Sequence, residues 1–134
     1  MGPKGDWIGE AADSVMARMA REEDEGLRAA ADPIVCASGI SPSGPIHLGN
    51  LREIMTTHFV AEELKRRGLP AEHVHSWDDF DRFRKVPAGV PDHYAEHIGK
   101  PLAAVPDPWG EFDSYGTRFI VQFREAMDQL GVKA

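Results

Sequence analysis

A short apolar run, Ile34-Val35-Cys36-Ala37, leads through Ser38-Gly39-Ile40-Ser41-Pro42-Ser43-Gly44-Pro45 into Ile46-His47-Leu48-Gly49-Asn50. The run is partly β-branched and reads as a buried strand. Leu48, Leu51, Ile54, Met55 and Phe59 then recur at helical spacing, so the loop joins a strand to a helix start. Such a junction aims free backbone N–H groups and the positive end of the helix dipole at one spot, which suits a phosphate. Pro45 has the fixed φ of a first helical turn, and His47 and Asn50, three apart, share one helix face. Gly39 and Gly44 let backbone approach a ligand, and Gly49 leaves room for a flat group such as a nucleobase. The familiar phosphate loops do not fit. Gly39 and Gly44 have the outer spacing of a Walker A loop, but Pro45-Ile46 occupy its Lys-Ser/Thr positions, and no G-x-G-x-x-G occurs.

A second strand-like run, His73-Val74-His75-Ser76-Trp77, precedes Asp78, Asp79 and Asp81. These carboxylates fall near the carboxyl end of the sheet, where open α/β folds bind ligands; a solvated acidic loop is the competing reading. Ahead of the first strand, Ile8, Ala12, Val15, Met16 and Met19 form a helical stripe that ends in the charged run Glu22-Glu23-Asp24-Glu25. The Pro- and Gly-rich passage from Val86 to Gly110 reads as an irregular functional or connecting segment. A last helix is expected from about Tyr115 to Leu130, with Phe119, Phe123, Met127 and Leu130 on one face and Gly131 as its stop. Val132-Lys133-Ala134 reads as the approach to another strand. Two strands are too few to stabilise a sheet in water, so a truncated domain is expected.

With 134 residues, 42% hydrophobic and 28% charged, the chain has room for one ordinary domain. Its net charge of -7 argues against a broad surface for RNA. The compact basic cluster Lys65-Arg66-Arg67 closes the second helix before Gly68, which dipole complementation and a glycine stop explain. Cys36 is the only cysteine, so no intrachain disulfide is possible and a reducing cytoplasm is the expected location. No apolar run is long enough to span a bilayer. His73 and His75 point the same way from a strand, and His93 and His97 would share a helix face. Neither pair has accompanying thiolates, so no zinc site is expected from them.

His47-Leu48-Gly49-Asn50 resembles the HIGH signature of the class I aminoacyl-tRNA synthetases, with Asn50 in place of the second His. The longer Ala37-to-Gly44 run, Ser76-Trp77-Asp78-Asp79-Phe80-Asp81-Arg82-Phe83-Arg84-Lys85-Val86-Pro87 and Val105-Pro106-Asp107-Pro108-Trp109-Gly110 resemble the class I lysyl-tRNA synthetases in particular. Together these matches cover about Ile34 to Leu130. The resemblance implies an α/β, Rossmann-like (HUP-type) parallel sheet with flanking helices. An N-terminal helical segment would occupy residues 1–32, and the first half of the catalytic domain residues 33–134.

The implied activity is lysine–tRNA ligation, with ATP and Mg²⁺ as cofactors and lysine and tRNA(Lys) as partners. The tRNA would be held mainly outside this segment, and the fragment alone is expected to be inactive. By resemblance, His47 and Asn50 are catalytic, Pro42, Ser43, Gly44, His47, Gly49 and Asn50 bind ATP, and Gly39 and Ser41 contact the amino acid. Zinc-containing relatives carry Cys and His where this chain has Glu111, Phe112 and Arg118. No zinc is therefore expected around Asp107, and packing of Trp109, Phe112 and Tyr115 with ordinary hydrogen bonds would hold that segment. The alternatives are a non-catalytic nucleotide-binding paralogue or fragment, and a small nucleotidyltransferase of the His-x-Gly-His type.

Overall fold

The computed structural model describes residues 6–134; the first five residues of the expected 1–32 segment lie outside the described residues. The elements run α1 (Trp7–Asp24), β1 (Ile34–Ile40), α2 (Leu48–Arg66), β2 (Ala71–Trp77), two 3-10 turns (Asp92–His97 and Leu102–Ala104) and α3 (Tyr115–Gln129). Strands β1 and β2 pair in parallel from Ile34↔Ala71 to Ile40↔Trp77, with α2 as the crossover. This is the expected α/β arrangement, a two-stranded parallel sheet with flanking helices. Both strands therefore end at one edge, and the Asp78 N–H donates to the Ile40 carbonyl at 2.9 Å just beyond the last pair. No described helix is long and apolar enough to cross a membrane.

One sheet face is covered. Ile34 and Ala71 pack with Ala12 and Leu64, and partly buried Ile40 and Trp77 pack against Ile54, Phe123, Met127 and Val132. The other face carries Val35, 58% exposed, and Val74, 47% exposed, so the strands alternate as a half-covered sheet does. The helical stripes are narrower than the sequence suggests. In α2, Ile54, Ala61 and Leu64 are buried while Leu48 and Phe59 stay exposed; Phe59 instead meets Trp7 edge-on. Leu130 is likewise exposed, because α3 has already reached its C-cap there. Gly131 takes a φ of 74°, and the Val132 N–H turns back to the Met127 carbonyl, with Val132 buried. The basic end of α2 is neutralised within the chain: Lys65 pairs with Glu62, Arg66 and Arg67 with Glu63, and Arg67 also with Asp13 of α1.

The Pro- and Gly-rich passage is a small packed unit rather than a bare connector. Phe83, Val90, Tyr94, Leu102, Val105, Tyr115 and Phe119 form a core of their own. Its two helical turns are of the 3-10 type, which rotates about 120° per residue, so His93 and His97, four apart, do not stack on one face as they would in an α-helix. The unit is fastened by a buried ion pair that packing alone did not anticipate. Asp107 accepts from both Nε and Nη2 of Arg118 and from the N–H groups of Trp109, Glu111 and Phe112. The guanidinium lies 4.5 Å from the Trp109 ring centre and 5.1 Å from that of Phe112. Burial pushes the Asp107 carboxyl up, but Arg118 and the three N–H donors outweigh it and hold it at about 2.

On the covered sheet face, Ser38 Oγ lies 2.8 Å from His73 Nε2 and 2.6 Å from His75 Nδ1. A hydroxyl has one proton, so it donates to one ring and accepts from the other. The outer nitrogens, His73 Nδ1 and His75 Nε2, are buried without a partner among the described residues. Burial lowers both pKa values, helped at His73 by the neighbouring His58 and Lys65. At His75, His73 and Arg124 act the same way and Glu53 opposes them.

Two stability predictions follow from these networks. Removing one partner of a buried ion pair typically costs about 3–5 kcal/mol, so Arg118→Met should lose stability on that scale in chemical denaturation. The pair's own contribution should persist above about pH 4 and drain away as pH falls towards about 2. Because the unfolded histidines protonate near pH 6.5 and the folded His73 and His75 only at lower pH, stability should also fall as pH drops below about 6.5. His75→Phe, which keeps the ring stacked on Phe123, should flatten that slope by about one proton; an unchanged slope would remove His75 from the account.

Candidate functional site

Helix α2 begins at Leu48, later than Pro45 suggested, and His47 is its N-cap with extended backbone. His47 and Asn50 do more than share a face, because they close a reciprocal cap. The Asn50 N–H donates to His47 Nδ1 at 3.4 Å, and the His47 N–H donates to Asn50 Oδ1 at 3.2 Å. The cap orients both side chains. With Nδ1 accepting, the neutral ring carries its proton on Nε2, and with Oδ1 engaged, the Asn50 amide turns its NH₂ outward. Two donors thus face away from the helix start beside its unpaired backbone N–H groups.

The loop ahead of the cap is held from below. Pro42 is buried, and the Tyr115 hydroxyl, on a wholly buried ring, donates to the Ser43 carbonyl at 2.7 Å. Burial pushes the Tyr115 pKa well up, so the hydroxyl keeps its proton. A side chain at Gly44 would come within 3.2 Å of Pro87 and 3.6 Å of the Tyr115 hydroxyl; one at Gly49 would come within 3.1 Å of the His47 ring. At Gly39 it would meet Ser76 Oγ at 2.7 Å. At all three positions the absence of a side chain also lets the loop pack closely against its own protein.

A cavity of about 530 Å³ opens above this loop. Ser41, Ser43, Gly44, Pro45, His47 and Asn50 line one side, and Asp81, Arg82, Arg84, Lys85 and Pro87, from the segment after β2, line the other. Ser41 Oγ bridges the walls by donating to Asp81 Oδ2 at 2.5 Å. That hydrogen bond, with Arg84 Nη2 at 3.5 Å from Oδ1, holds the Asp81 carboxyl below its ordinary range. Of the three aspartates singled out in the sequence, only Asp81 lines the cavity. Asp78 and Asp79 act through their backbones, Asp79 accepting from the Ala103 N–H at 2.8 Å. Of the expected site residues, Ser41, Ser43, Gly44, His47 and Asn50 are brought together there, while Gly39, Pro42 and Gly49 support the loop from outside the lining. The sequence reading missed Arg82, Arg84, Lys85 and Tyr115. Three cations within the four residues 82–85, shortly after a strand, were the available signal for the first group; nothing local marks Tyr115, which is 72 residues from Ser43.

Among the described residues no three His, Cys, Asp or Glu side chains converge as a metal site. Asp107 is saturated by Arg118 and three backbone donors, and His73 and His75 each commit one nitrogen to Ser38. What the cavity offers is hydrogen-bond donation and positive charge, the chemistry of a polyanion site.

Residues 5–134 match the family model described as tRNA synthetases class I (K). The chain is 50% identical over 133 residues to a lysine–tRNA ligase of Streptomyces coelicolor, covering 96% of this chain and 22% of that protein. It is 49% identical over 100 residues to a lysine–tRNA ligase of Thermococcus kodakarensis, covering 75% and 19%. To that of Pyrococcus horikoshii it is 41% identical over 122 residues, covering 91% and 22%. The chain spans about a fifth of the length of these curated relatives.

Proposed function

The chain belongs to the tRNA synthetases class I (K), and on that premise we propose that it carries the ATP site of a lysine–tRNA ligase, at the His47–Asn50 helix start. Its role is in activating lysine with ATP before transfer to tRNA(Lys). Residues 33–134 would be the first half of the catalytic domain. The observation that supports this reading best is the reciprocal cap, because it leaves His47 Nε2 and the Asn50 amide as outward donors. It also accounts for asparagine at the signature's last position: an amide accepts from the cap through one atom and donates outward through the other.

In the reaction, the lysine carboxylate attacks the α-phosphate, and negative charge grows on the phosphate oxygens. Donors fixed in advance stabilise that charge without reorganising. His47 and Asn50 would donate to those oxygens, and the helix start would add its backbone N–H groups. Ser43 and Gly44 would lie along the phosphates, with Pro42 and Gly49 shaping the loop around the nucleotide. Gly39 and Ser41 would meet the amino acid, whose ammonium group finds Asp81 beside Ser41. Mg²⁺ takes few protein ligands where phosphates supply oxygens, so it would arrive with ATP and help neutralise it.

Substitutions that spare the cap separate catalysis from folding. Asn50→Asp keeps an acceptor for the His47 N–H and favours the helix dipole, yet it puts a negative charge where the outward donor stood. His47→Ser keeps a capping oxygen and removes the ring donor. Placed in the full-length enzyme, both should lower the rate of lysine-dependent ATP–pyrophosphate exchange by about 10²-fold or more, as loss of a transition-state donor does. The melting midpoint and the KM for ATP in His47→Ser should change little. Normal exchange in both variants would remove the pair from the mechanism.

A further inference from the structure

On the α2 side the ATP site as read above offers hydrogen-bond donors, and the chain as a whole is at -7. The opposite wall supplies positive charge. Asp81-Arg82-Phe83-Arg84-Lys85 leaves the end of β2 and is pinned at its centre, with Phe83 1% exposed in the core. The Phe83 N–H donates to the Lys100 carbonyl, and the Gly99 N–H donates to the Phe83 carbonyl, both at 2.8 Å. Arg82 is further held by a bridge to Pro101. Anchored this way, the segment presents Arg82, Arg84 and Lys85 to the cavity. Arg84 lies near Asp81, whereas Arg82 and Lys85 have no ion pair among the described residues. The cavity lining therefore carries one carboxylate, Asp81, committed to Ser41 and Arg84, and two cations without such a partner.

We infer that Arg82 and Lys85 bind the β- and γ-phosphates of ATP and the pyrophosphate derived from them, an assignment that rests on the ATP-site reading above. In adenylate formation a carboxylate oxygen bonds to the α-phosphorus, and the bond from that phosphorus to the bridging oxygen breaks. The electron pair leaves on pyrophosphate. The departing group gains charge as the bond opens, and two cations across the cavity take up that charge while the donors at the start of α2 hold the α-phosphate oxygens. Asp81 is committed to Ser41 and Arg84, and its charge is offset by Arg84, which weakens its repulsion of the phosphates.

Calorimetric titration of the chain with ATP and with inorganic pyrophosphate, each with magnesium, tests this. A charged hydrogen bond contributes about a factor of ten. The Arg82→Gln/Lys85→Gln double variant should thus bind both ligands about a hundredfold more weakly, with an unchanged melting midpoint, because both side chains are exposed. The charge-keeping Arg82→Lys/Lys85→Arg variant should retain most of the affinity. If the unaltered chain binds ATP and the neutral double variant binds it equally well, the assignment fails while the ATP site stands. If the charge-keeping variant is as weak as the neutral one, a charge role is likewise excluded. If the unaltered chain binds neither ATP nor pyrophosphate, the ATP-site reading falls and this assignment with it.

Discussion

Everything in the site depends on the parallel pairing of β1 with β2. Ile40 stands opposite Trp77 at the end of the register, so the two loops that follow begin side by side although 37 residues separate them in sequence. The Asp78 N–H to Ile40 carbonyl bond carries the pairing one step past the sheet, and the Ser41–Asp81 bond carries it further, now through side chains. An antiparallel pair would have sent the loops to opposite ends. Parallel pairing requires a crossover, and here the crossover is α2, whose start is itself part of the site.

The strand–loop–helix unit was legible in sequence because each part has a local signature: a β-branched run, a Gly/Pro turn and helical spacing. The identity of the loop's residues was also legible, but their use was only half so. Gly44 reads equally well as room for a phosphate or room for Pro87, and only the fold shows that the latter lies there. The same holds for His47. Its spacing to Asn50 announces proximity, but whether two side chains merely neighbour each other or hold each other's backbone depends on where the helix starts, the least legible feature of any helix.

Interactions between distant segments were not legible. Arg118 was read only as a departure from the zinc-binding relatives; its partnership with Asp107 spans only 11 residues but depends on a turn that composition does not specify. The Val86–Gly110 passage looked irregular because its elements are short 3-10 turns. Its core residues, Val90, Tyr94, Leu102 and Val105, fall at near-helical spacings, but Pro91, Gly99, Pro101 and Pro106 break any continuous helix among them. The cations after β2 were visible as letters, but their direction depends on Phe83 being the residue that turns inward.

The Tyr115 hydroxyl couples α3 to the loop beneath the helix start. Because burial keeps that phenol protonated far into the alkaline range, and Asp107 keeps its charge down to about 2, the two groups that brace the loop and its supporting unit change state only at the extremes of acid and base. The frame around the cavity is thus electrostatically mute across the neutral range. A pH profile of ligand binding at this site would accordingly report the ligand's own ionisation and the groups in the cavity, with no contribution from these two braces.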